Sequence, residues 1–197
     1  MRSIYKLVVC SLLTLSITSC EKDLLDKEQY QKEIYLIGAY NRVWTTEVSY
    51  SNEEVKTYFT VSSSGTLALD RDVNVKMKIN EELVDIYNKK YWTVLNEDKY
   101  YKSLDTDLYS IPSLENTVIK HAEGISAEVP VLIKTASLKI DQSYVIPVEI
   151  ESTTGYPIST SGCKMLVLLK LKNDYSGNYQ MSGHTTLEGE TPKTIQN

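Results

Sequence analysis

The chain has 197 residues, 42% of them hydrophobic, which is room for one ordinary domain and part of another around a single core, and too little for two full domains. Acidic residues outnumber basic ones, 26 to 21, for a formal charge of −5; losing Arg2 and Lys6 with a leader deepens that imbalance, which argues against nucleic acid as a partner. Tyr occurs 15 times and Phe once, a bias toward aromatics that pack with the ring and still offer a hydroxyl, suited both to recognition surfaces and to sheets.

Residues 1–6 carry two cations, 7–17 form an apolar run of secretory h-region length, and small residues follow. A spanning helix needs roughly 20 apolar residues, so 1–19 reads as a removed signal peptide. Its ending, Ile17-Thr18-Ser19-Cys20, resembles the bacterial lipobox, and that resemblance implies acylation of Cys20; the plain alternative is an ordinary leader that happens to contain a cysteine. Several acyl chains on one residue exceed the marginal hold of a single myristoyl group, so the expected first partner is a membrane, through a lipid anchor. Glu21, Lys22 and Asp23 are similar to the export signal of Bacteroidetes lipoproteins shown on the cell surface. The expected location is therefore the outer membrane, facing the exterior, with a periplasmic face as the alternative. Residues 20–32 read as the acylated cysteine and a flexible polar tether. Cys10 falls in the leader, which leaves Cys163 without an internal partner, a small buried thiol by expectation.

Short apolar runs follow at 34–40, 43–50, 55–62, 73–79, 129–134, 144–151 and 164–171, and all read as strands. The clearest is Val73-Asn74-Val75-Lys76-Met77-Lys78-Ile79, where apolar and polar residues alternate without error, as one buried and one wet face demand. Ile146, Val148 and Ile150 repeat the pattern, and Pro147 between them points to an edge strand with an unpaired amide position. One helix interrupts the strands near 81–91. Asn80 caps it, Glu81 and Glu82 suit its positive end, Leu83, Ile86 and Tyr87 share a face, and Lys89 and Lys90 suit its close. Seven or so strands with one short helix define an all-β, immunoglobulin-like two-sheet β-sandwich over 33–172.

The stretch 73–88, closing on Leu83-Val84-Asp85-Ile86-Tyr87-Asn88, resembles the alternating strand and short helix ending in Tyr-Asn that mark a domain of unknown function in Bacteroidetes surface lipoproteins. Gly124 after Val118-Ile119-Lys120, the strand at 129–133, and Tyr144-Val145-Ile146-Pro147-Val148-Glu149-Ile150 follow in that family's order. The resemblance covers about 35–172. It implies an immunoglobulin-like domain at the front of lipoproteins from polysaccharide-utilisation loci, standing before a second β domain, a lectin-like module or a chitinase-like endoglycosidase. Glycan capture or display is the implied role, with oligo- or polysaccharide and outer-membrane glycan-uptake proteins as implied partners. Asn96, where the family often has proline, and the longer turn around His121, Ala122 and Glu123 depart from the pattern. Asn173-Asp174-Tyr175-Ser176-Gly177-Asn178-Tyr179 looks like the junction to the family's second domain, so 173–197 reads as a second domain cut short, or as a tail.

No catalytic constellation is legible. His121 and His184, the only histidines, fall in expected loops with no nucleophile motif beside them. Asp70 with Asp72, and Asp105 with Asp107, could pair for glycoside hydrolysis or weak calcium binding, but clustered loop acids are mostly solvated. Phosphate loops, CxxC pairs and HExxH are missing, so neither enzyme activity, metal nor cofactor is expected. Sugar binding needs flat aromatic faces together with amides or acids, and Tyr91, Trp92, Asn96, Tyr100 and Tyr101 supply those types close together; Trp44 and Tyr50 form a second candidate group. The structural alternative for Trp92 is packing in the core or at a hinge. Two broader rivals to glycan binding stand: a rigid spacer for a C-terminal module, and an adhesin with an open edge strand.

Overall fold

The computed structural model describes residues 27–173, 175 and 176, 182–185 and 193–196. The leader, Cys20 and the charges at 21–23 lie outside the described residues, as does most of 174–197.

Two sheets face each other. One contains β1 (Ile34–Leu36), β3 (Glu54–Ser63), β8 (Ser126–Lys134) and β6 (Tyr109–Ser110), in the order β1-β3-β8-β6. The other runs β2 (Val43–Ser49), β10 (Lys164–Lys172), β9 (Tyr144–Thr153), β4 (Val73–Ile79), β7 (Thr117–Ile119), with β5 (Lys102–Ser103) also paired to β9. Helix α1 spans Glu82–Tyr91. A separate hairpin joins β11 (Ser182–Thr185) to β12 (Lys193–Gln196), which places His184 in a strand instead of a loop. The immunoglobulin-like β-sandwich is the fold.

Alternation builds the core. Val73, Val75 and Met77 of β4 are buried while Asn74, Lys76 and Lys78 are exposed. Ile146, Val148 and Ile150 of β9, with Met165, Val167 and Leu169 of β10, join them against Phe59, Val61, Val129, Val131 and Ile133 of the opposite sheet. Neither tryptophan fills this space; the lone Phe59, 1% exposed, is among its largest side chains.

Three further expectations change. The run 34–40 stops as a strand at Leu36, because Gly38 takes a φ of 91° and starts a 3-10 turn at Ala39–Asn41, a backbone region that glycine enters readily. Pro147 is not on an edge: β9 lies between β10 and β4. The sheet tolerates it because β4 ends there. The Asn80 amide donates to the Pro147 carbonyl at 3.0 Å, and the Asn80 carbonyl, which an amide at 147 would otherwise serve, accepts from the Leu83 amide at 3.1 Å. The missing donor thus coincides with the point where the chain leaves the sheet for α1. Ile86, expected on the packed face of α1, is 55% exposed; Val84 and Asn88 are buried in its place, with Leu83 and Tyr87 partly so.

Residues 27–33 have no regular structure but are held. The Glu28 carboxylate accepts from the Thr66 and Leu67 amides and pairs with Lys32, whose ammonium also donates to the Leu67 carbonyl. The Glu33 amide donates to Ser64 Oγ at 2.9 Å. This network pulls the Glu28 carboxyl down to about 2, chiefly through Lys32 and then the Thr66 amide.

Candidate functional site

Helix α1 forms because Glu82 and Asp85 sit in its first turn and Lys89 and Lys90 in its last, each complementing the helix dipole. Asn80 caps it from outside, its Oδ1 accepting from the Glu82 amide at 3.2 Å. The helix lies on the outer face of the second sheet, where Val84 packs with Val145 and Leu166, flanked by Val43, Leu83, Tyr87, Tyr101 and Leu168.

Asn88 anchors the chain where it returns from the helix to the sheet. It is 4% exposed, its Nδ2 donates to the Tyr101 carbonyl at 2.9 Å, and its Oδ1 accepts from the Tyr101 amide at 3.0 Å. One side-chain amide therefore satisfies both backbone groups of a residue 13 positions on, just before β5 returns to pair with β9. That bond pair sets Tyr101 against Tyr87, with ring centroids 5.2 Å apart and planes 10° from parallel. Tyr91, one helical turn beyond Tyr87, extends the row at 4.4 Å and 34°. The result is a ladder of three tyrosines, Tyr101, Tyr87 and Tyr91, in geometries that aromatic pairs favour.

Beside the ladder a shallow groove of about 30 Å3 lies between α1 and the start of β10, with Tyr87, Tyr91, Arg42, Lys90, Lys164 and Met165 among its walls. That is far below the roughly 300–1,000 Å3 of enclosed ligand pockets, so a ligand would lie across the opening and not inside it. Arg42 stands there on a left-handed backbone, φ 64°, the single non-glycine positive φ among the described residues. Hydrogen bonds hold it so, its amide donating to the Ala39 carbonyl and its carbonyl accepting from the Leu166 amide, both at 2.8 Å; such a conformation costs on the order of 1 kcal/mol or more.

Burial, and after it Tyr101, pushes the Tyr87 phenol up to about 12. Burial, and after it Glu81, does the same to Tyr109, whose hydroxyl has no hydrogen-bond partner among the described residues. Both shifts favour the neutral phenol in the fold. Their contribution to stability is complete below the ordinary tyrosine range near 10 and lost as pH rises through about 12. A urea midpoint followed from about pH 9 to about pH 12 will fall at the upper end, and Tyr87→Phe with Tyr109→Phe will remove part of that fall; an unchanged slope in the double variant would contradict it.

The sequence-picked residues divide. Tyr91 and Tyr101 belong to the ladder. Trp92 closes the helix, its amide donating to the Asn88 carbonyl at 2.9 Å, with the Lys99 ammonium 5.6 Å over its half-buried ring. Asn96 bonds Thr93 Oγ1 at 3.0 Å within the 3-10 stretch Val94–Lys99, so its amide shapes the loop. Tyr100 presents a carbonyl to Gln142 Nε2 at 3.4 Å. Trp44 does not join them: Val43 faces the helix cluster, and the next residue of a strand points to the other side, where Trp44 lies close to Gly38. Tyr50 is at the far end of β2, donating to the Ala136 carbonyl at 2.7 Å, so the two make no group. Tyr87 is the site residue that sequence reading placed only on the packing face. Its spacing of four from Tyr91 was the available signal.

The acids of the first pair are engaged locally. Asp70 binds Arg71 at two points of 2.9 Å each and accepts from the Tyr156 hydroxyl; Asp72 accepts from the His121 amide at 3.0 Å and lies 2.6 Å from its ring Nδ1. Among the described residues no group of three His, Cys, Asp or Glu side chains could hold a metal ion.

A family model of an N-terminal domain matches residues 30–157, and the companion C-terminal model matches 163–197. The chain belongs to this family. Solved structures from Bacteroides share the fold. A Bacteroides ovatus protein of unknown function is 18% identical with a TM-score of 0.60, over 85% of this chain and 57% of that one. A B. ovatus protein described as a candidate carbohydrate-binding protein is 17% identical with a TM-score of 0.52, over 78% and 40%. Bacteroides thetaiotaomicron EndoBT-3987, solved with a Man5GlcNAc product, is 19% identical with a TM-score of 0.51, over 70% and 30%. The chain thus spans about half, or less, of the solved structures it matches. No curated protein matches it. The Tyr-Asn pair that closes the stretch 73–88 acquires a physical meaning here, since Tyr87 is the middle rung of the ladder and Asn88 the clamp that aligns it.

Proposed function

We propose that this domain is a non-catalytic, surface-anchored module that binds or presents glycans for a polysaccharide-utilisation system. The tyrosine ladder beside the α1 groove carries the reading: half-exposed Tyr91 offers a ring to pyranose C–H groups, while Arg42, Lys90 and Lys164 surround the opening with hydrogen-bond donors for hydroxyls. The likeness to a candidate carbohydrate-binding protein supports the same class. The lipobox-like ending at Cys20 supports a lipid anchor in the outer membrane facing outward, and glycan-uptake proteins there are the proposed partners.

Calorimetric titration of the purified chain against host and dietary glycans tests this. Saturable binding is expected, weakened about tenfold or more by Tyr91→Ala, in keeping with the weight of aromatic contacts in binding sites. Trp44→Ala, on the opposite face, should leave it unchanged. Silence across a broad panel would instead favour the second reading, a spacer that positions a C-terminal module. That reading draws support from the C-terminal family match at 163–197 and from the 30% share of EndoBT-3987 that the chain covers.

A further inference from the structure

We propose that the α1 groove selects acidic glycans, sugars carrying a carboxylate, over neutral ones of the same size. The inference rests on the glycan reading above and names the substrate class of that site.

Charge distribution is the ground for it. The chain is acidic, with 26 Asp and Glu against 21 Lys and Arg, yet the groove is walled by three cations, Arg42, Lys90 and Lys164, and by no acidic residue. Glu82 and Asp85 of the same helix sit in its first turn and do not line it. Lys164 is the partly neutralised member, 3.2 Å from Glu149, which is itself held by Asn80. Arg42 and Lys90 make no ion pair among the described residues.

The two unpaired cations have complementary uses. A guanidinium presents a planar fork that matches a carboxylate in two parallel hydrogen bonds. Arg42 carries that fork on a left-handed backbone fixed by two backbone hydrogen bonds, an unfavourable conformation of the kind that concentrates where side chains are aimed at ligands. Lys90 lies on the other wall with its ammonium 5.3 Å from the centre of the Tyr91 ring. A sugar docked at the Tyr91 end of the groove would therefore meet the ammonium that lies over that ring, with the Arg42 guanidinium lining the same groove. A neutral hexose leaves both charges to water; a uronic acid engages them through its carboxylate.

The test is a matched titration of the purified chain with galacturonic-acid oligomers and with neutral galactose oligomers of equal length. The acidic series should bind at least tenfold tighter, weaken as sodium chloride is raised, and lose most of its advantage in Arg42→Gln and Lys90→Gln, substitutions that remove the charge while keeping a polar side chain. Equal binding of both series, or an advantage untouched by the two variants, overturns the selectivity and leaves the glycan reading standing. Binding of neutral glycans alone does the same. Failure of every sugar to bind, acidic or neutral, removes both.

Discussion

Asn88→Ala will lower the folding free energy by about 2–4 kcal/mol, a large loss for a polar residue on a sheet-packed helix. The Asn88 side chain makes two hydrogen bonds, both to the Tyr101 backbone, and each contributes roughly 1 kcal/mol net. Its removal also strands the Tyr101 amide and carbonyl in a partly buried position, and each orphaned group adds about 1–3 kcal/mol if water cannot reach it. Urea denaturation of the purified chain reads the effect directly, with Asp85→Ala, on the solvent side of the same helix, expected to change stability by less than about 0.5 kcal/mol. A loss below about 1 kcal/mol in Asn88→Ala would mean that Tyr101 is held by something other than this clamp. Because the clamp aligns two rungs of the ladder, the same variant should weaken glycan binding even at temperatures where it remains folded.

Phe59→Ala should be costlier still, about 3–5 kcal/mol, the range for truncating a buried aromatic. Phe59 is 1% exposed, sits opposite Val129 across the β3–β8 ladder and belongs to the cluster between the sheets. With neither tryptophan in that space, no neighbouring indole can swing in to close the cavity, so the loss should fall near the upper end. A domain of this size has roughly 5–15 kcal/mol in total, which puts the variant close to unfolding at about 37 °C. Phe59→Leu keeps most of the volume and should cost less than about 1.5 kcal/mol; similar losses in the two variants would show that the core depends on the ring itself and not on filled space.

The long strands were legible because one face is buried and one is wet. Val73–Ile79 has the same bounds in the sequence pattern and in the sheet, and β3, β8, β9 and β10 differ from their expected runs by a few residues at the ends. The strands that escaped are short: β5, β6 and β7 of two or three residues and β11 and β12 of four, too few for any period to show; β5, β6 and β7 exist because longer neighbours already present unpaired edges. Pro147 misled for an instructive reason. Its missing amide does mark a place where a ladder stops, but the strand that stops is β4, not β9.

The candidate site was half legible. Aromatic composition located the region around the end of α1 and picked Tyr91 and Tyr101, whereas the helical face was misjudged at Ile86, and Tyr87 was placed on the packed face without its part in the ladder. Apolar periodicity gives Ile86 and Tyr87 equal claim to a packed face, and only the path of the returning chain, fixed by Asn88, decides between them. Arg42 gave no sequence signal, since its position in the groove depends on the turn that Gly38 starts. Trp44 illustrates the converse: a conspicuous residue grouped with Tyr50 by type, yet separated from it by the length of a strand and from the ladder by the thickness of a sheet.

The network around Glu28 bears on how the domain would stand on a cell. With acyl chains on Cys20, as proposed, the residues between the anchor and the Glu28 contact with the 64–67 turn can span at most roughly 28 Å, whatever path they take. That is a short leash, fastened at one corner of the sandwich. Such a tether does not let a domain roam for ligand; it restricts it to pivoting over a small patch of membrane, so the corner at which the chain is fastened, more than the tether's composition, decides whether the α1 groove meets the outside medium or the neighbouring protein.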